Sequence, residues 1–242
     1  MICGTIPAYY IMLYLVPVPI WNLWDITVRW LDKLKSIDII VCESTANIIS
    51  LYRHFDIPFQ HKKFHHLSSY TWDTKLWWLA DICKNSDVVL VSDAGTPWLS
   101  DPAKSIIKLC REHDIRFEVL PWACALIPAV VGMYADTSHF EYLWFLPQKK
   151  WRQTILKYSM LCEHTIVFYE SVHRIAKLLK ELEWFEGTVH IARELTKFHE
   201  QKITWSVSDV VAMLQNWSLV LKGEFVIWMS QAKPSFSRSI SW

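Results

Sequence analysis

Glycine is scarce. The chain has five in 242 residues, about 2% against a usual ~7%, so other residues stand at turns where a side chain is costly. A large charge imbalance is also missing. The net charge is +1, and composition alone gives no electrostatic argument for a nucleic-acid partner. Six cysteines (Cys3, Cys42, Cys83, Cys110, Cys124 and Cys162) include no C-x-x-C pair. Scattered in this way they read as reduced, mostly buried thiols of a cytoplasmic protein. The first 24 residues carry no charge, but Pro7, Pro17 and Pro19 interrupt the run and no basic segment precedes it. A membrane span is therefore not expected, and a soluble chain is. Internal repeats are absent as well.

What is present is apolar and aromatic. Half of the residues are hydrophobic, ample for a core, and fifteen are tryptophan. Residues 1–136 carry a net charge of −2 and the remainder +3, a slight basic lean in the second part. The most informative stretch is Val88–Pro102. Val88-Val89-Leu90-Val91 reads as a strand buried on both faces. Ser92 to Pro97 are loop formers, and Ser100-Asp101-Pro102 opens a helix with Asp101 as N-cap and Pro102 in the first turn. Strand, tight loop and helix start form the geometry with which α/β proteins hold a ligand at the carboxyl edge of a sheet. On spacing alone, an ordinary strand-to-helix connection explains it as well.

The same alternation runs through the first part. Strands are expected at Leu13–Val18, Ile37–Val41, Val88–Val91 and Arg116–Leu120. Helices are expected from Asp25 (as N-cap) through Leu34, and over Ala46–Phe55, Thr71–Lys84, Pro102–His113 and Ala125–Met133. His61 to His66 reads as a polar surface connection rather than a metal site, with Lys62 and Lys63 among the histidines and no acidic partner nearby. Alternating strands and helices imply a parallel sheet covered on both faces. A boundary falls near Tyr134–Ser138, giving a domain over residues 1–136, a mixed α/β domain over 137–230 and a Ser-rich tail over 231–242. In the second domain, strands are expected near Tyr142–Leu146, Thr165–Tyr169, Val189–Leu195, Lys202–Val207 and Glu224–Met229. Helices are expected over about 151–161, 172–184 and 208–216.

Leu13–Asp25 (LYLVPVPIWNLWD), Val91–Pro102 (VSDAGTPWLSDP) and Leu120–Ala125 (LPWACA) together resemble the tetrapyrrole-methylase superfamily of S-adenosylmethionine (SAM) enzymes. Phe145–Lys149 (FLPQK), Ile166–Arg174 (IVFYESVHR), Ala192–Glu200 (ARELTKFHE) and Lys222–Val226 (KGEFV) narrow the resemblance to its ribosomal RNA small-subunit methyltransferase I branch. Seven motifs stand in order over residues 13–229. The resemblance implies two α/β domains with a SAM cleft between them. It also implies methylation of the ribose 2′-oxygen of a cytidine in 16S rRNA, with the small ribosomal subunit as partner, no metal, a cytoplasmic location and a homodimer. Two rivals stand beside that expectation. One is the same fold acting on a tetrapyrrole or a modified amino acid. The other is a non-catalytic RNA-binding relative, in which Trp98 and Trp122 obstruct the cofactor.

Residue by residue, the resemblance places SAM against Pro19, Ile20, Asp93, Ala94, Gly95, Thr96, Cys124, Ala125, Phe168, Tyr169, Gly223 and Glu224. A ribose hydroxyl is a poor nucleophile until its proton is being removed, so a base is expected within reach. Candidates are Glu43, Glu170, Glu194 and Lys197. The favoured pair is Glu194 with Lys197, beside Arg193, and Lys197 serves alternatively as a phosphate or oxyanion contact. For RNA the candidates are Lys149, Lys150, Arg152, His173, Arg174, Arg193 and His199, with Lys157 in the same basic run. Tyr169 or Phe198 is available to stack on a splayed base.

The chain departs from the family in a patterned way. Tryptophan stands where the family has glycine at Trp21, Trp24, Trp98, Trp122, Trp144 and Trp205. Ser44-Thr45-Ala46 replaces an Asp-Thr-Arg and so removes a basic side chain, and Ala123-Cys124-Ala125 replaces a Pro-Ser-Ala. The matched shortage and surplus, both placed in turns, lead to one reading: UGA is decoded as glycine in the source cell and appears here as tryptophan. The gene tests it. UGA codons are expected at these six positions, and UGG codons there overturn the reading.

Overall fold

A computed structural model describes residues 11–67, 76–97, 103–121, 124–133, 137–215 and 221–231. The proposed cap at Asp101–Pro102 and the substitutions at Trp98 and Trp122 lie outside them. By its contacts the chain separates into Met1–Cys124 and Ala125–Trp242.

The first unit is built on five short strands: β1 (Leu13–Val16), β2 (Ile39–Cys42), β3 (Lys63–His66), β4 (Val88–Val91) and β5 (Phe117–Val119). They lie in the order β3-β2-β4-β1-β5, every neighbouring pair parallel. Strands β1 and β4 are buried along their whole length, so both alternating faces of each are apolar. Leu13, Leu15, Val88 and Leu90 pack with Leu79 of α3 (Trp77–Ile82) and Ile106 of α4 (Ala103–Glu112). On the opposite face Tyr14, Val16, Val89 and Val91 meet Trp30 and Leu34 of α1 (Val28–Ser36), with Ile48 and Tyr52 of α2 (Thr45–His54).

Two local expectations are corrected. Helix α1 is capped by Thr27, whose hydroxyl accepts from the Trp30 amide at 3.2 Å. Asp25 instead sits in a turn, its amide donating to the Asn22 carbonyl. His61–His66 is not merely a connection, because Lys63–His66 pairs with β2 as an edge strand. At its start Lys62 is buried, its ammonium donating to the carbonyls of Lys35 (3.1 Å) and Ile37 (2.8 Å) at the end of α1. A cation that meets the carbonyls left open at a helix end stabilises both.

The second unit carries β6 (Phe140–Phe145), β7 (Thr165–Glu170), β8 (Thr188–Arg193), β9 (Gln201–Ser206) and β10 (Phe225–Ser230). Their order is β6-β7-β10-β8-β9, with β6 parallel to β7 and every other pair antiparallel. Ile166, Phe168, Ile191, Phe225 and Ile227 form its core with side chains from α6 (Arg152–Leu161), α7 (Ile175–Glu181) and α8 (Val207–Gln215). Helix α5 (Leu126–Gly132) packs on β7 and β10.

Some tryptophans hold strained backbone. Trp144 has φ 57° at a register shift of β6 against β7, and Trp151 has φ 69° just before α6. The left-handed region costs an L side chain about 1–2 kcal/mol and glycine very little. Trp21, Trp24 and Trp205 are exposed. Trp30 and Trp228, by contrast, are fully buried.

Inside the second sheet, His190 stacks on Trp228 with ring centroids 4.4 Å apart and planes at 8°, its two nitrogens near the hydroxyls of Thr204 (3.1 Å) and Ser230 (3.3 Å). Burial depresses the imidazole from the usual 6.5 to about 4. The unfolded chain therefore binds a proton that the folded chain refuses between those values. Stability is full above about pH 6.5 and falls as pH drops toward 4, by on the order of 3 kcal/mol. Urea unfolding across that interval is expected to show this slope, and His190→Gln is expected to lose that part of it.

Candidate functional site

The order of the first sheet singles out one place. From β1 the chain crosses by α1 to β2 on one side, and from β4 it crosses by α4 to β5 on the other. Adjacent strands whose exits diverge leave a crevice at their carboxyl ends, the usual ligand position in open α/β sheets. Here the two exit loops are tied together. The Val18 amide donates to the Gly95 carbonyl and the Gly95 amide to the Val18 carbonyl, both at 3.0 Å. Gly95 is buried with φ 69°, and a side-chain carbon built there meets only Ile20 Cγ2 at 3.8 Å, so it is the backbone conformation rather than crowding that favours glycine. Ser92 Oγ donates to the Gly95 carbonyl at 3.0 Å and steadies the turn.

Two carboxylates stand at this edge. Asp93 and Ala94 are exposed, and the Asp93 amide donates to Glu43 Oε2 at 3.4 Å from the end of β2. Partial burial pushes the Glu43 carboxyl up, the Asp93 amide opposes that, and the Asp93 charge adds to the rise. Pro19 is buried, Ile20 and Thr96 are half-buried, and Cys124 and Ala125 are half-buried at the end of the first unit and the start of the second.

In the second unit the sequence candidates gather at strand ends. Phe168 points into the core, completely buried, and only its neighbour Tyr169 is partly accessible, because successive residues of β7 face opposite ways. The Phe168 side chain is therefore unavailable to a cofactor. Tyr169 lies against Tyr142, Trp144 and Phe145 with centroids 5.2–5.8 Å apart. Glu170 is buried and fully engaged. Its Oε2 accepts from Arg152 at 3.3 Å, and its Oε1 accepts from Arg174 Nε at 2.7 Å and the Ser171 amide at 2.8 Å. Arg152 is buried too, its Nη2 2.7 Å from Glu181 Oε2, so the expected phosphate contact at Arg152 is replaced by an internal ion pair. A buried pair of this kind cannot lose one partner without stranding the other's charge. Glu170 likewise holds two arginines. Lys149, Lys150 and His173 are exposed. Glu181 was invisible in the sequence, since it lies 29 positions from the arginine it binds.

The second concentration of charge follows β8. Glu194 Oε1 accepts from Lys197 Nζ at 2.7 Å and from the Glu224 amide at 3.0 Å, and Lys197 also lies 3.3 Å from Glu224 Oε2. Burial alone would raise the Glu194 carboxyl. Its hydrogen bonds from Lys197 and the Glu224 amide, with the charges of Lys197 and Arg193, bring it below the usual range. Arg193 is buried, donating Nε to the Lys222 carbonyl and Nη1 to the His199 carbonyl at 3.2 Å, while His199 is exposed. Gly223, at φ 96°, lies directly beneath the Glu194 carboxylate, which occupies the place of a side-chain carbon. Glu194 (φ 53°) and Thr196 (φ 64°) are both left-handed. A β-branched residue there is strained, and such strain collects at functional sites.

Comparison with known proteins gives consistent results. Residues 12–211 match the family model of the tetrapyrrole (corrin/porphyrin) methylases. A ribosomal RNA small subunit methyltransferase I from a Hydrogenobaculum species is 38% identical over 231 residues, spanning 94% of this chain and 99% of that one. Proteins of the same name from a Synechocystis species and from Escherichia coli are 35% and 37% identical over 95% and 89% of this chain, and over 82% and 76% of their own. Among solved structures, a diphthine synthase aligns with a TM-score of 0.72 at 11% identity, covering 90% of each chain. The methyltransferase CobJ aligns with 0.66 at 15% identity, covering 96% of this chain and 97% of that one. At those identities the structures share the fold alone.

Gly223→Ala is expected to push the Glu194 carboxylate off its seat and to destabilise the protein by about 1–3 kcal/mol. In a double-mutant cycle followed by urea unfolding, Glu194→Ala is expected to recover part of that loss, because it removes the group the new methyl meets.

Proposed function

The chain belongs to the tetrapyrrole methylase family, in the branch of the ribosomal RNA small subunit methyltransferases I, and from that premise we propose that it methylates the ribose 2′-oxygen of a cytidine in 16S rRNA. Methyltransferases of this family use SAM as methyl donor. The observation that carries the RNA assignment is the 38% identity extending over nearly the whole of both chains. Fold likeness does not choose among acceptors, since the solved structures sharing it include a diphthine synthase.

The residues at the carboxyl edge of the first sheet fit the donor. SAM carries an ammonium and a sulfonium together with polar sugar oxygens, and Asp93 and Glu43 supply an acidic edge beside the turn at Gly95. We assign Asp93, Ala94, Gly95 and Thr96, with Pro19 and Ile20, to holding it. Cys124, Ala125, Tyr169 and the Gly223–Glu224 turn are the family's further contacts by sequence position. When bound, SAM supplies an electrophilic methyl carbon.

The acceptor is assigned to the turn after β8. As the oxygen–carbon bond forms, the methyl carbon's bond to the donor sulfur breaks to leave a neutral thioether and the ribose proton passes to water, and a fixed cation nearby lowers the cost of the negative charge that develops on the oxygen. Lys197 is that cation, and Glu194 is the carboxylate that fixes it. Because Glu194 is held below the usual carboxylate range, it stays ionised through the neutral region and keeps Lys197 in place. Lys149, Lys150, His173 and His199 are exposed and available to phosphates. The substrate is assigned to the assembled small subunit, and the working form to a homodimer in the cytoplasm. Among the described residues, no helix is long and apolar enough to cross a membrane.

The test uses small subunits from cells lacking this methylation, incubated with protein and methyl-labelled SAM. Label is expected in 16S rRNA as a 2′-O-methylcytidine, and protein that leaves the RNA unlabelled overturns the proposal. Lys197→Ala is expected to lower kcat by about a hundredfold while calorimetric SAM affinity stays near that of the parent.

A further inference from the structure

Phe198 is the most exposed large apolar side chain among the described residues, at 97%. The other aromatic residues more than half exposed among the described residues, Trp21, Trp24, Trp77, Trp151, Trp184 and Trp205, are all tryptophans, the residue type in surplus here. A shift in codon meaning does not account for a phenylalanine. Placing a benzyl group wholly in water has no folding benefit.

The turn that carries it is stiff. The Lys197 amide donates to the Glu194 carbonyl at 3.0 Å, the Glu200 amide to the Lys197 carbonyl at 3.1 Å, and the Thr196 amide to Glu200 Oε2 at 2.8 Å. From below, Arg193 binds the carbonyls of His199 and Lys222 and so joins the turn to the segment before β10. Two left-handed residues, Glu194 and Thr196, hold this shape at a conformational cost. The His199 ring stands edge-on to Phe198, centroids 5.0 Å apart at 82°. Lys222 is exposed on the joined segment, and Lys202 follows the turn, 2.7 Å from Glu200. A fully presented ring on a tied-down turn, with exposed lysines at 202 and 222 on the segments that the turn joins, suits a nucleobase face whose flanking phosphates need partners.

We propose that Phe198 is a stacking platform for an unpaired base of the RNA substrate, next to the nucleotide that is methylated. This inference rests on the RNA reading above and adds the form of RNA that the site takes. In an A-form duplex the base faces are covered by their neighbours and a protruding ring has nothing to meet, so the ligand is single-stranded or looped.

The experiment compares the intact protein with Phe198→Ala and Phe198→Tyr by fluorescence anisotropy. The probes are a short unstructured oligoribonucleotide and a duplex of the same length. Phe198→Ala is expected to weaken single-strand binding about tenfold, and Phe198→Tyr to restore it. Duplex binding is expected to be weaker and indifferent to either change, with thermal midpoint and SAM affinity unaltered throughout. Parent protein that binds neither RNA overturns this inference together with the reading it rests on. Tight single-strand binding by Phe198→Ala overturns the stacking role alone. So does a change in sedimentation that dissociates copies of the chain while RNA affinity per chain holds, because Phe198 would then be a contact between copies.

Discussion

The carboxyl edge of the first sheet depends on β1 lying between β4 and β5 in parallel register. Leu13 through Val16 pair with Val88 through Val91 on one side and Leu13 through Leu15 with Phe117 through Val119 on the other. Because β1 and β4 are apolar on both faces, each needs helices above and below it. That requirement sends the two exit loops in opposite directions. The divergence of these loops at the carboxyl edge is thus a by-product of burying the eight residues of the two strands. Gly95 and Val18 then only have to fasten the two loops together.

The second unit handles charge where the first handles hydrophobic burial. It takes Glu170, Arg152 and Arg193 nearly out of water, and each is met there by hydrogen-bond partners. Such arrangements add little net stability compared with an apolar core, yet they tolerate few alternative geometries. Their value is positional. Glu170 fixes Arg174, which reaches the Leu146 carbonyl and lies 5.7 Å over the Phe145 ring. Glu194 fixes Lys197 in the same manner, though nearer to solvent.

How far the amino-acid order discloses this varies with the range of the interaction. Val88–Val91 and Leu13–Val16 are legible because unbroken β-branched and aliphatic runs between turn formers have few other uses. Helix positions in the second unit follow from periodicity, to within a few residues. Strand β3 is obscured because Lys63, His65 and His66 mimic a loop, and only its pairing with β2 makes it a strand. The cap of α1 falls on Thr27 rather than Asp25, a two-residue ambiguity among equally good capping types. At the site, the Glu194–Lys197 pair is short-range and readable. The inward turn of Arg152 is not, since its partners Glu170 and Glu181 lie far along the chain and meet it only after folding. Phe168 and Tyr169 differ by one position and by which side of the sheet they face, which a motif match does not resolve.

The edge of the first sheet has a further consequence. An outermost strand with unpaired backbone groups invites another chain to extend the sheet, and long runs of such additions become insoluble fibres. Here that strand is only four residues long, carries lysine and histidine, and is anchored to the end of α1 through the sealed Lys62 ammonium. At that edge the chain is thereby a poor template for extension of the sheet by a second chain.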